Sequence, residues 1–142
     1  MSARGIAVAV AIVVAACAAP GSRIGTLPAD CHGADCQVKV IVTGDCVISV
    51  DPPYLAVYNR EVNIHWDLEA DAVYTFASDG IVIKTNDGQF TNGMPTAQNR
   101  KYIWHDRNSP NAGKSTYYPY GVKLMKNGVA CAQFDPGIIN QG

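Results

Sequence analysis

Glutamate is almost missing from this chain of 142 residues: Glu61 and Glu69 are the only two. No amphipathic helix of useful length can be traced in it. A basic stripe is missing as well. Net charge is -1 and neither sign gathers into blocks, which argues against nucleic acid as a partner. The longest apolar run, Ile6 to Ala16, has 11 residues and is too short to cross a bilayer of roughly 30 Å as a helix. Catalytic signatures are also wanting. There is no Gly-x-Ser-x-Gly elbow. Gly113-Lys114-Ser115 matches the tail of a phosphate-binding loop, but Asn108 stands where its first glycine belongs. A strand containing Pro119 follows where that loop needs a helix. Glu61, Glu69 and the aspartates could supply a glycosidase-like carboxylate pair, yet a chain this short rarely encloses a sugar cleft. The expectation is a non-enzyme without a cofactor.

Past the first twenty residues the favoured residues are Val, Ile, Thr and Tyr, with Gly, Asn, Asp and Pro as punctuation. That is the composition of strands joined by turns. The clearest strand is Glu61 to Leu68. Val62, Ile64, Trp66 and Leu68 fall on one face, and Glu61, Asn63, His65 and Asp67 on the other. A strict period of two means one buried and one wet side, and Trp66 is the largest group available to organise the core.

Other strands are expected at Gln37 to Thr43, at Cys46 to Val50, and around Leu55 and Val57. Asp51-Pro52-Pro53 stops the second of these. Tyr74 and Phe76 share a strand face, and Asp79-Gly80 predicts a two-residue hairpin leading into Ile81 to Lys84. Asn86 to Asn99 reads as a loop, Lys101 to Asp106 as a strand with Tyr102 and Trp104 on one face, and Arg107 to Lys114 as a second polar loop. Tyr118, Tyr120, Val122 and Leu124 then point inward, leaving Tyr117 as one exposed ring, too little for a ligand-stacking platform. Pro119 marks an edge or a bulge. Asn127-Gly128 turns into a returning strand, Val129 to Phe134, and the two isoleucines at 138 and 139 are expected to fold back over the core. Seven to nine short strands predict an all-β, antiparallel β-sandwich, immunoglobulin-like or cupredoxin-like. Trp66, Trp104, Tyr74, Phe76, Tyr118 and Tyr120 are its expected large core residues.

The amino terminus reads as an address. Arg4 and the apolar run form a signal peptide over residues 1–16. Its end, Val14-Ala15-Ala16-Cys17, resembles the lipobox of bacterial lipoproteins. The resemblance implies lipidation of Cys17 and membrane attachment through acyl chains. Ala18 after that cysteine implies sorting to the outer membrane, at its periplasmic face or the cell surface. The alternative is an ordinary signal peptide cut near Ala16 or Ala19. Residues 17–35 are expected as a lipidated tether and 36–142 as a single β-domain.

Beyond Cys17 four cysteines remain. An even number in an exported chain suggests two disulfides, with three possible pairings. Cys31 with Cys36 would close a small loop, and Cys46 with Cys131 would join an early strand to the last. Cys31, His32 and Cys36 as a metal site would leave a zinc ligand missing. A second metal possibility joins His65 and His105 with Asp67, provided their strands are neighbours.

Trp66 to Leu68, Tyr102 to Asp106, and Cys131 followed by Asp135-Pro136 are similar to motifs of small proteobacterial secreted β-proteins. That resemblance brings no activity with it. The expected function is binding or structure in the bacterial envelope, with residues 86–99 and 107–114 as contact loops. An inhibitor of an external hydrolase, such as a lysozyme or protease, is the second expectation, and a metal or redox protein the third.

Overall fold

The computed structural model describes residues 27–58, 60–109 and 115–141. These form eleven strands and no helix: β1 (Ala29–Cys31), β2 (Asp35–Thr43), β3 (Val47–Asp51), β4 (Tyr54–Val57), β5 (Val62–Glu69), β6 (Tyr74–Ile83), β7 (Phe90–Thr96), β8 (Lys101–Asp106), β9 (Thr116–Lys126), β10 (Val129–Ala130) and β11 (Gly137–Asn140). One sheet runs β1-β4-β11-β9-β10, with β6 also paired to β9, and the other runs β3-β2-β5-β8-β7. The two pack face to face through one apolar core.

The sandwich is not purely antiparallel. β1 and β11 both run parallel to β4, and β2 runs parallel to β5. The reason lies in long-range order. After the β2–β3 hairpin the chain crosses to the other sheet as β4 and returns as β5 on the free side of β2. The tail then inserts between β4 and β9, placing Ile138 fully in the core. Ala29–Cys31 forms a strand within the stretch expected to be tether.

Three local signals also end differently. Asp79-Gly80 makes no hairpin: β6 continues through a bulge between Phe76 and Ile81, with both halves paired to β9. Gly80 is required by close packing, since a Cβ there would lie 2.8 Å from the Phe76 Cβ. The loop expected at 86–99 contains β7. Asn92-Gly93 forms a bulge opposite β8, and a Cβ on Gly93 would collide with the Trp104 ring. The returning strand after Asn127-Gly128 shrinks to Val129–Ala130 plus a single bridge from Phe134 to Val122. Pro119 lies inside β9, at the point where β6 runs out: the Lys84 N–H donates to its carbonyl just past the last β6 residue.

Alternation places Trp66, Tyr74, Phe76, Tyr118 and Tyr120 in the core, with Trp104 half-buried against it. Three edge-to-face ring pairs each join one sheet to the other: Trp66 with Tyr120 at 5.3 Å, Phe76 with Tyr102 at 5.8 Å, and Phe90 with Tyr118 at 4.9 Å. Such pairs add about 0.5–1.5 kcal/mol each beyond burial. Both disulfides form, Cys31–Cys36 and Cys46–Cys131, with Cα atoms 5.8 and 5.4 Å apart. Cys46 lies in the turn between β2 and β3, and Cys131 just follows β10, so this bond joins the two sheets at one end. The last strand is β11, not the segment carrying Cys131.

Candidate functional site

Of the wet side expected as Glu61, Asn63, His65 and Asp67, the last three lie on β5 and become the middle of an open sheet face, while Glu61 precedes the strand. Register builds rows across it. Asp35, Asn63, His105 and Thr91 form one, and Gln37, His65, Ile103 and Met94 the next. Side-chain hydrogen bonds run along the first row and tie it to His65 of the second. His65 Nε2 donates to Asp35 Oδ1 at 2.9 Å and Asn63 Nδ2 donates to the same oxygen at 3.3 Å. His105 Nδ1 donates to Asn63 Oδ1 at 3.2 Å. Hydrogen bonds from His65 and then Asn63 hold the Asp35 carboxyl below its ordinary range. Beside this row, Asn63, Asn92, Met94, Ile103 and His105 line a shallow depression of about 310 Å³. Met94, on edge strand β7, is half exposed and forms its apolar rim.

The strands of His65 and His105 are indeed neighbours, but a metal set does not converge. His65 is engaged by Asp35 and His105 by Asn63, while Asp67 pairs with Lys101 at 2.7 Å. Among the described residues no group of three His, Cys, Asp or Glu side chains could hold a metal ion. Cys31 and Cys36 are consumed by their disulfide. Nor do the glutamates meet: Glu61 precedes β5 and Glu69 ends it, which places them about 26 Å apart along the strand. A glycosidase pair needs about 5–9.5 Å.

Directly behind His105 the chain turns inward at Asp106, which is fully buried. Its Oδ1 accepts from the Asn108 N–H at 2.8 Å and from Asn140 Nδ2 at 3.1 Å. Its Oδ2 and the Asn140 Oδ1 are both buried without a partner among the described residues. Burial pushes the Asp106 carboxyl up to about 6, against the opposing pull of the two hydrogen bonds and of nearby His105; Asp87 adds to the rise. Asn108 Nδ2 also reaches the Val57 carbonyl at 3.2 Å, so this buried polar cluster ties β8 to the opposite sheet. Sequence reading passed over Asp106 and Asn140. Asp106 follows the pattern of an inward position, but only the structure shows that a carboxyl occupies it in the core.

Of the loop expected at 107–114, residues 110–114 lie outside the described residues, as does Cys17. The described base is held firmly. The Arg107 N–H donates to the Gln89 carbonyl at 2.9 Å, and the Ser109 N–H to Gln89 Oε1 at 2.8 Å. No protein-family model matches this chain, and no curated protein shows significant similarity to it.

Proposed function

We propose that this protein is a non-catalytic, lipid-anchored binding domain of the bacterial envelope, exported by residues 1–16 and held at the outer membrane through Cys17. Two disulfides suit an oxidising compartment. The observation that carries the binding role is the depression of about 310 Å³ on the open face of β5, β8 and β7, with hydrogen-bonding groups on one side and exposed Met94 on the other. Of the two expected scaffold types, the immunoglobulin-like one is supported by Cys46–Cys131, which spans the two sheets, and opposed by the parallel pairs β1–β4, β11–β4 and β2–β5.

The test is site-specific photo-crosslinking in the native host, with the reactive residue at Met94, at Ile103 or, as a control on the other sheet, at Lys123. A discrete adduct from the first two positions and none from Lys123 is expected. Equal labelling at all three, or none at any, would remove the face assignment. Inhibition of an external hydrolase is the second reading, favoured by the firm base of the 107–114 loop. It requires inhibition of at least one member of a lysozyme and protease panel at micromolar protein.

A further inference from the structure

We infer that the C-terminal strand β11 is held in place by a proton on the Asp106–Asn140 pair and opens locally when that proton passes to water. β11 is the joint of its sheet. It pairs with β4 on one side and β9 on the other, and among the described residues the only other strand on β4 is β1. Asn140, the last residue of β11, stands level with Val57 of β4 and Thr116 of β9. There it meets β8 of the other sheet, through the bond from Asn140 Nδ2 to Asp106 Oδ1 at 3.1 Å. The Val57 carbonyl closes the same corner, accepting from the Gln141 N–H at 2.9 Å and from Asn108 Nδ2 at 3.2 Å.

The corner is one hydrogen short. Asp106 is fully buried and Asn140 nearly so, yet Asp106 Oδ2 and Asn140 Oδ1 have no partner among the described residues. One proton on Asp106 Oδ2 supplies both, as the donor on one side and the bond accepted on the other. The groups that face Asp106 do not replace it. His105, next to it on β8, bonds to Asn63 on the wet face. Asp87, from the connection between β6 and β7, adds a like charge and accepts from the Tyr118 hydroxyl of β9 at 3.2 Å. An ionised Asp106 is thus a buried charge with one oxygen unsatisfied, and water reaches it most cheaply where the fewest ties must break. β8 lies between β5 and β7, whereas β11 is four residues long and ends the described chain but for Gln141. Its departure leaves the edges of β4 and β9 bare. Cys31–Cys36 still fastens β1 to β2, so the β1–β4 pair stays attached, and fully buried Ile138 draws the strand back.

The test is native-state amide hydrogen exchange of the purified protein between about pH 5 and about pH 8, corrected for the intrinsic rate at each pH. The carboxyl titrates at about 6 in the closed state against an ordinary 3.8, so closure weakens as pH rises through that interval and levels off above about pH 7. Protection of the Ile138, Ile139 and Asn140 amides is expected to fall about tenfold across it, while the β5 amides hold theirs. Asp106→Asn, which carries a permanent donor, should flatten the step, and His105→Gln, which removes the neighbouring imidazole, should leave it. If Asp106→Asn does not fold, the parent's profile and His105→Gln decide the matter. No step at β11, an equal step in Asp106→Asn, a step abolished by His105→Gln, or an equal fall throughout β5 would each overturn the proposal.

Discussion

A carboxylic acid and a primary amide can exchange two hydrogen bonds, whereas a carboxylate and the same amide can exchange one. Asp106 and Asn140 already share the bond from Asn140 Nδ2 to Asp106 Oδ1, and the second atom of each is buried and unpaired among the described residues. Protonation of Asp106 Oδ2 supplies the donor that the Asn140 Oδ1 lacks. The sign of the pH effect follows. The folded carboxyl titrates at about 6 against an ordinary 3.8, so its contribution is full below the lower value and lost as pH rises through the upper one. The loss approaches about 3 kcal/mol at most by alkaline pH. Asp106→Asn keeps both acceptor bonds and carries a permanent donor. We expect the variant to exceed the parent by about 1–3 kcal/mol in urea unfolding at about pH 8, with the gap closed near about pH 4. Asp35, Asp79 and Asp135, all held below their ordinary range, stay common to both proteins and cancel. A gap independent of pH would contradict this account of the buried pair.

Elements were legible where a period of two ran uninterrupted. Glu61 to Leu68 and Tyr118 to Leu124 each became a strand with the expected side in the core. Short-range turn signals were less faithful. Asp79-Gly80 and Asn92-Gly93 carry the residue types of hairpin turns, but each glycine serves a close approach, to Phe76 or to Trp104, and the chain bulges without reversing. Parallel pairing was not legible at all, because nothing local distinguishes β11 from a folded-back tail. The connection from β7 to β8 was equally silent. Ala97, Gln98 and Asn99 all adopt positive φ, at 48, 58 and 60°. Such backbone is costly for non-glycine residues and needs support from its surroundings. Arg100 supplies it: Nη1 donates to the carbonyls of Asp71 and Tyr74, and Nη2 to those of Leu68 and Ala70. The planar fork thereby fastens the β5–β6 connection to the strained turn. Arg100→Ala is expected to cost about 2–4 kcal/mol in urea unfolding, and Arg100→Lys most of that, since one ammonium cannot reach all four acceptors. A lysine variant within about 0.5 kcal/mol of the parent would show that the fork is not what holds the turn.

At the scale of the molecule, the two sheets are fastened at opposite ends. Cys46–Cys131 holds the end where β2 turns into β3, and the Asp106, Asn108 and Asn140 cluster holds the other, near Cys31–Cys36. Between them run the three ring pairs centred on Trp66. A disulfide closing a loop of 85 residues contributes about 4–5 kcal/mol in the chain-entropy model. Such a domain is suited to an oxidising compartment, and the one cysteine left over is Cys17, at the end of the signal-like segment. Export, disulfide closure and lipid attachment, as proposed, are three claims that one measurement reads together. The most direct measurement is the intact mass of the protein purified from its native membrane, with thiol alkylation before and after reduction. We expect a chain that begins at Cys17, carries acyl groups there, and exposes Cys31, Cys36, Cys46 and Cys131 to alkylation only after reduction. An unacylated chain that still begins at Met1, with Cys31 and Cys36 alkylated without reductant, would contradict both the address and the fastening of the fold.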